Sequence, residues 1–482
     1  MKQQQHRNHI GGWVPSSRNA FYAVHNPARP GECLGEFADS GPADASAAVE
    51  AAASAARDWA GTPAPRRGAI LYRFAQLLEE SKEELGRIIT LEQGKALGEA
   101  IGEVGRAAAE ARFMAGEAFR PYGQTFPSER AGISCSTVGE PIGVVAAICP
   151  WNFPVVTPVR KIAPALAWGN TVVFKPASLT PWSAVYLMQL LERAELPPKV
   201  VNLVTGAGAT VGDAIVRDSR VRGVTFTGSS KVGAQIYEGV ARRLARVQLE
   251  LGGKNPAVVI DCEDLDGAAR EIVSAAFLCS GQRCTAISRV IASEAQADAL
   301  AERIRAQVER ITVGNGLEPG TTMGPLVSMG QFRTVERYVR AGIESGCTVL
   351  AGGQPLTDDP EREGYYYAPS LFDRVPADSP LALEEIFGPV LPILRVRDLD
   401  EAIAVANSTP YGLAASLFTA RSSYIDEFIR RVEAGMIHVN HGTASQAHVP
   451  FGGVKDSGEG AYSIGHTARE FYTNVKAIYL KW

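Results

Sequence analysis

The chain has 482 residues, 46% hydrophobic and 21% charged, a composition typical of a globular protein with two or three domains. A formal net charge of −4 and a pI near 6.1 exclude the strongly basic surface of a nucleic-acid-binding protein. The first residues lack a signal-peptide core, and apolar runs such as VVAAIC are too short to span a bilayer. We therefore expect a cytoplasmic protein with no nucleic-acid or membrane partner.

The first part of the chain is predicted to be helical. A helix is expected from Pro42 and Asp44 through residue 60, and apolar residues recur at helical spacing across residues 66–95 and 96–120. Residues 121–141 differ, because their turn residues and polar alternation predict a β-hairpin.

From residue 142 onward, short apolar runs alternate with helical patterns. This alternation predicts right-handed βαβ units and a parallel sheet, whose ligands bind at the carboxyl ends of the strands. The predicted strands are VVAAI, TVVFK, VVNLV, GVTFT and VQLEL.

A second alternating series runs from residue 255 to about 456, and the end of the chain (469–482) has the apolar alternation of a strand. We expect that strand to join the 122–141 hairpin and a partner subunit. The predicted domains are 1–121 with 142–252, 253–456, and a small β arm of 122–141 with 457–482.

Three side chains suggest covalent catalysis, and each lies in a segment that contains or adjoins Gly or Pro. Cys284 follows Gly281-Gln282-Arg283, where an exposed turn and a neighbouring cation would favour the reactive thiolate. Glu250 lies in the apolar run VQLEL and would serve as a base, while Asn152 in PWNFP would stabilise an oxyanion. A buried structural thiol, a salt-bridged glutamate and a turn asparagine remain open alternatives.

Other segments suggest a phosphate-bearing ligand. Gly208 lies in VTGAGATVG, which misses the GxGxxG register by one residue, and Gly228 and Ser229 precede a predicted helix start. Lys175 ends an apolar strand and would contact a ribose or phosphate. A plain turn, an N-capped helix and a surface lysine explain the same patterns.

No metal site is predicted. The seven cysteines show no CxxC pair, and His438, His441 and His448 lack the helical spacing and the nearby carboxylate of a zinc site.

Taken together, these segments resemble the aldehyde dehydrogenase superfamily across nearly the whole chain. The resemblance implies an α/β fold with a Rossmann-type cofactor domain, an α/β catalytic domain and a β oligomerisation arm in a homodimer or homotetramer. The matching motifs, in the family's order, are PWNFP, KPAS, FTGS, LELGGKNP, GQRC, EEIFGPV and PFGGVKDSG.

The resemblance also implies a reaction and a cofactor, NAD or NADP. Cys284 would form a thiohemiacetal held by Asn152, hydride transfer would leave a thioester, and Glu250 would activate the water that releases the acid. Ser178 stands where a glutamate would repel a 2′-phosphate, so NADP should be accepted. The implied cofactor-binding residues are Trp151, Lys175, Ser178, Gly208, Gly228, Ser229, Glu385 and Phe387.

For the substrate, the chain most resembles succinate-semialdehyde and 2-oxoglutarate-semialdehyde dehydrogenases. Arg160 and Ser445 match substrate contacts of that group, although Arg160 would equally suit a structural acid. A second expected arginine is replaced by Leu278, for which Arg283 would compensate, and Tyr462 stands where the family commonly has a glutamate.

Three rival functions remain open: oxidation of aromatic or other uncharged aldehydes, acyl transfer to coenzyme A, and a non-catalytic structural role on the same fold. An intact set of Cys284, Glu250 and Asn152 favours catalysis with hydrolysis over the last two.

Overall fold

The structure, a computed structural model, describes residues 4–120, 123–356 and 363–481. The ends of the predicted segments at residues 1–3, 121–122 and 482 lie outside these ranges, as do residues 357–362 of the predicted catalytic domain. No helix within the described ranges is both long and apolar enough to cross a membrane.

The predicted helices of the first part of the chain are confirmed. Pro42 opens the first one, and the Asp44 carboxylate accepts a hydrogen bond from the Gly41 N–H at 2.9 Å, which satisfies a free donor at the helix start. The α-helices are Pro42–Gly61, Ala64–Glu80, Lys82–Gln93, Leu97–Glu117, Val156–Ala167, Pro181–Arg193, Asp213–Arg217, Ser230–Ala241, Leu265–Phe277, Glu294–Val308, Met329–Glu344, Pro380–Leu383, Leu399–Asn407, Ser422–Arg431 and Arg469–Tyr472.

The larger sheet has a parallel centre, as predicted, with antiparallel strands at both edges. Its central strands are buried on both faces: Val145 and Ala147 pack into one apolar core, and Val144, Ala146 and Ile148 into another. In spatial order the strands are Gly458–Glu459, Arg246–Glu250, Val221–Thr227, Val144–Ile148, Thr171–Lys175, Val201–Leu203, Asn8–His9 and Trp13–Val14.

A second sheet contains the strands predicted after residue 255. All its pairings are parallel except the first. Its spatial order is Thr348–Ala351, Ser370–Asp373, Val390–Val396, Ile287–Ser293, Asn255–Val259, Ala414–Phe418 and Met436–Val439. Tyr411–Gly412 and Val454–Lys455 form a small separate ribbon.

The predicted hairpin and the C-terminal strand form a third sheet. Thr473–Lys481 pairs with Ile133–Pro141, which in turn pairs with Thr125–Phe126. The predicted arm segment 457–482 first adds Gly458–Glu459 to the larger sheet, so only its last strand joins the hairpin. The domain boundaries themselves stay predictions.

The N-terminal region contains strands that the sequence analysis did not predict. Phe21–Asn26 and Arg29–Ala38 form an antiparallel pair around a short turn, and Gln5–His6 joins Arg29–Ala38 in parallel.

Candidate active site

One cleft collects the ends of several strands of the larger sheet. Asn152 follows Val144–Ile148, Gly228 follows Val221–Thr227, and Glu250 is the last residue of its strand. Cys284 reaches the same cleft from the loop before Ile287–Ser293 of the second sheet. The cleft encloses about 890 Å³ and therefore suits a small-molecule site.

The structure brings most of the sequence-predicted site residues to this cleft. Lys175, Ser178 and Gly208 are not part of its lining; they follow the neighbouring strands Thr171–Lys175 and Val201–Leu203. The predicted residues that line the cleft are Trp151, Asn152, Arg160, Gly228, Ser229, Glu250, Arg283, Cys284, Glu385, Phe387 and Ser445.

A tight loop positions Cys284. Gly281 has φ +70°, and a β-carbon there would lie 2.2 Å from the Gly388 carbonyl oxygen, so the close approach requires glycine. The Asn255 amide donates to the Cys284 carbonyl at 2.7 Å and fixes the end of the loop.

Burial, and next the nearby charge of Glu250, raises the pKa of the Cys284 thiol to about 11. Arg160 and Arg283 act in the opposite direction, but more weakly than burial. Arg283 favours the thiolate, as expected, but burial outweighs its charge, and the thiol is therefore protonated at neutral pH. Catalysis at Cys284 consequently requires a base.

Glu250 meets that requirement. Its side chain is buried, and its Oε2 has no hydrogen-bond partner among the described residues. Burial raises the pKa of Glu250 to about 7, while Lys161, Arg160 and Ser463 oppose the shift. A carboxylate with this pKa is well matched to proton transfer near neutral pH. Glu250 is not a salt-bridged glutamate, the alternative that the sequence left open, because no ion pair to Glu250 occurs in the described ranges.

Asn152 is buried and held at both ends. Its side-chain amide donates to the Gln282 backbone carbonyl at 2.9 Å, and its own backbone carbonyl accepts from the Lys95 ammonium at 2.7 Å. Lys95 is in turn paired with buried Glu103 at 2.7 Å. An amide nitrogen carries two hydrogens, so one remains available to a ligand beside the Cys284 loop.

The residues implied for the cofactor fit a dinucleotide. Ser229 caps Ser230–Ala241, and its exposed helix start offers N–H groups to a phosphate. At Gly228 a β-carbon would lie 2.4 Å from the Phe226 ring, so this close turn needs glycine. Trp151 and Phe387 make an edge-to-face contact with ring centroids 5.5 Å apart in the cleft wall.

The other implied cofactor residues have definite partners. Burial lowers the pKa of Lys175 to about 8, and its ammonium donates to the Pro176 carbonyl at 2.7 Å. The Ser178 hydroxyl donates to the Gly206 carbonyl at 2.9 Å. A Glu385 carboxylate oxygen accepts the Gly253 N–H at 3.0 Å. Gly208 begins the helical turn Gly208–Gly212.

Arg160 is not free. Its guanidinium makes a two-point ion pair with Glu110, at 2.7 and 3.2 Å, and lies 4.4 Å above the centre of the Phe451 ring. The main contact of Arg160 is therefore with a structural acid, which is the alternative that the sequence analysis left open. Arg283 contacts the Thr285 hydroxyl and the Thr443 carbonyl, each at 3.4 Å.

The sequence analysis missed Arg106, which donates a hydrogen bond to the Ser445 hydroxyl at the cleft. A signal was present: Glu99, Glu103, Arg106 and Glu110 follow one another at spacings of four, three and four, which places all four on one helix face. Three glutamates and one arginine on one face of an otherwise Ala-rich helix indicate that this face contacts other polar groups.

Both departures from the family pattern lie close to this chemistry. Leu278 is 37% exposed and lines the cleft. Burial, and then the charge of Glu250, raises the pKa of Tyr462, which places that phenol within electrostatic range of Glu250.

The chain is similar to known enzymes along its full length. The aldehyde dehydrogenase family model matches residues 13–478. The alpha-ketoglutaric semialdehyde dehydrogenase of Bacillus subtilis is 38% identical over 100% of this chain and 99% of its own. The 2,5-dioxopentanoate dehydrogenase of Saccharolobus solfataricus is 40% identical over 98% of each chain.

Solved structures agree with this relationship. An E. coli NADP dependent enzyme superposes with a TM-score of 0.96 at 35% identity, over 99% of this chain and 98% of its own. The chain therefore belongs to the aldehyde dehydrogenase family and is an NAD(P)-dependent aldehyde dehydrogenase.

Proposed function

We propose that the enzyme oxidises a semialdehyde with a distal carboxylate to the corresponding dicarboxylic acid. The observation that carries the proposal is the convergence of Cys284, Glu250 and Asn152 on one cleft that also contains arginine side chains. The relatives from B. subtilis and S. solfataricus support this substrate class, because their names describe aldehydes of this kind.

In the proposed first step, the Cys284 sulfur bonds to the aldehyde carbon and its proton passes to Glu250. The oxygen of the resulting thiohemiacetal faces the Asn152 amide and the Cys284 N–H, which stabilise its negative charge. NAD(P)+, when bound, would supply the acceptor for the hydride lost from the former aldehyde carbon, and Cys284 would then hold the acyl group as a thioester.

In the second step, Glu250 has released the first proton to solvent and takes another from water, whose oxygen attacks the thioester carbon. The carbon–sulfur bond breaks, the acid leaves and Cys284 regains its thiol proton. Ser229 and Gly228 would hold the pyrophosphate, Lys175 and Glu385 the ribose, and Trp151 and Phe387 would flank the nicotinamide. Because Ser178 carries no negative charge, we propose that NADP is accepted.

Oxidation of uncharged aldehydes is a second candidate, favoured by the exposed Leu278 side chain and by the neutralisation of Arg160. We further propose a cytoplasmic homodimer or homotetramer. The oligomer is supported by Thr473–Lys481, on which Val475 and Tyr479 are each 77% exposed.

A kinetic grid of aldehydes and cofactors tests the proposal. Succinic and 2-oxoglutaric semialdehydes should give higher kcat/KM than butanal and benzaldehyde, and the free acid should form without coenzyme A. Higher kcat/KM for the neutral aldehydes would reject the substrate class. A product that forms only with coenzyme A would reject the hydrolytic mechanism.

A further inference from the structure

The segment that leads to Cys284 begins with an unfavourable turn. Cys279, Ser280 and Gly281 follow one another with φ of +56°, +57° and +70°. Glycine adopts this left-handed conformation freely, but residues with a β-carbon adopt it only where their surroundings hold them there. The approach to Cys284 is therefore kept in place by contacts, and the residues that make these contacts determine where the thiol lies.

Several side chains hold this turn. The Ser280 hydroxyl donates to the Gly324 carbonyl at 2.7 Å. The Gln282 side-chain amide donates to the Cys279 backbone carbonyl at 3.1 Å. The N–H of Cys279, the first residue of the turn, donates to a carboxylate oxygen of Glu99 at 2.8 Å. An ionised carboxylate is a stronger acceptor than a neutral oxygen, so the contact with Glu99 is the strongest of the three.

Glu99 comes from a distant part of the chain. It lies in the first turn of helix Leu97–Glu117, 180 residues before Cys279, and its partly buried side chain lines the cleft. Burial raises the pKa of its carboxyl group to about 7, while Lys95, the Cys279 N–H and Arg283 oppose the shift. Arg283 is the residue next to the reactive thiol. Glu99 therefore lies within electrostatic range of the far end of the segment whose first N–H it binds.

The next turn of the same helix face holds Asn152. Glu103, one turn after Glu99, pairs with the Lys95 ammonium at 2.7 Å. Lys95 also donates to the Asn152 backbone carbonyl at 2.7 Å, and the Asn152 amide donates to the Gln282 backbone carbonyl at 2.9 Å. One helix face is thus linked both to the thiol-bearing segment, through Glu99, and to the oxyanion donor, through Glu103.

We propose that Glu99 positions the nucleophile by binding the Cys279 N–H. This contact holds the left-handed turn and so fixes where the Cys284 sulfur lies relative to the Asn152 amide. The inference rests on the proposed nucleophilic role of Cys284, but it is independent of which aldehyde is oxidised. Loss of the contact would leave the cofactor site in place and would slow the attack of the sulfur on the aldehyde carbon.

The test measures the first turnover separately from cofactor binding. Stopped-flow absorbance follows the burst of cofactor reduction with NADP+ and the aldehyde that wild type uses best. In Glu99→Ala the rate constant of the burst should fall about 10- to 100-fold, as for loss of a hydrogen bond to a charged group. Cofactor affinity, measured by quenching of protein fluorescence, should stay within about twofold of wild type. Glu99→Gln keeps an oxygen acceptor and should recover most of the burst rate.

Two further variants sharpen the comparison. Glu99→Asp withdraws the carboxylate by one methylene group and should behave like Glu99→Ala, so it replaces that variant if alanine prevents folding. Glu83→Ala is the matched control, since Glu83 is an exposed residue in the first turn of helix Lys82–Gln93. It should change neither the burst nor the cofactor affinity.

Cys284→Ala separates this inference from the proposed function. If Cys284→Ala retains the burst, the nucleophile of the proposed function is wrong. If Cys284→Ala abolishes the burst but Glu99→Ala and Glu99→Asp keep the wild-type rate, the positioning role of Glu99 is overturned. The same conclusion follows if Glu99→Gln slows the burst as much as Glu99→Asp does, or if cofactor affinity falls in step with the burst rate.

Discussion

Glu110 and Arg160 form a buried two-point ion pair in the wall of the catalytic cleft, although they lie 50 residues apart in the chain. The pair joins helix Leu97–Glu117 to helix Val156–Ala167, and Arg160 lies within electrostatic range of Glu250 and Cys284. Because neither charge has access to bulk water, each depends on the other for its solvation.

Glu110→Ala should therefore destabilise the protein strongly. Removing one member of a buried ion pair costs about 3–5 kcal/mol, because the remaining guanidinium is left uncompensated. Urea denaturation followed by circular dichroism measures this loss. The exposed residue Glu302 provides the control, and Glu302→Ala should change stability by less than about 0.5 kcal/mol. Equal stability of the two variants would show that the pair contributes nothing.

Ser178→Glu should shift the cofactor selectivity towards NAD. A carboxylate at this position would repel the 2′-phosphate and bind the ribose diol. We expect kcat/KM for NADP to fall by about tenfold or more. Ser54→Glu adds the same charge on an exposed helix face and should leave both cofactors unchanged. If Ser178→Glu left the ratio of kcat/KM for NADP to that for NAD unaltered, the 2′-phosphate would lie elsewhere.

The pKa of Glu250 predicts a pH profile. Burial raises this pKa to about 7, so the carboxyl group is protonated below that pH and becomes a base above it. The rate of acid release should therefore rise with pH through about 7 and then level off. Stopped-flow measurement of the step after the cofactor-reduction burst reads this rate directly. If the rate of acid release by Glu250→Gln rose over the same pH range, the titrating group would be a residue other than Glu250.

The sequence predicted the helices and strands better than it predicted which side chains contact one another. Runs such as VVAAI, and VVF within TVVFK, are apolar, as strands buried on both faces must be. Their order identified a parallel sheet whose carboxyl edge carries the site. The strands Phe21–Asn26 and Arg29–Ala38 escaped prediction, because the alternation in this region is broken by turn residues and charges.

At the site, the local sequence indicated which residues could act as nucleophile and base. It did not indicate which interactions would determine their pKa values and their partners. Arg283 next to Cys284 suggested a thiolate, yet desolvation by distant segments outweighs that single cation. Likewise nothing near Arg160 in the sequence indicates Glu110, since their contact depends on how two helices pack.

The central claim is that Cys284 carries the acyl group and that Glu250 releases it. Intact-protein mass spectrometry of Glu250→Gln tests this claim most directly, after incubation with NADP+ and succinic semialdehyde at alkaline pH, where the thiol ionises without the Glu250 base. The account predicts one acyl group per chain, mapped by peptide analysis to Cys284 and not to buried Cys279, and absent from Cys284→Ala. An unmodified Cys284 during full turnover by Glu250→Gln, or an acyl group on another residue, would contradict it.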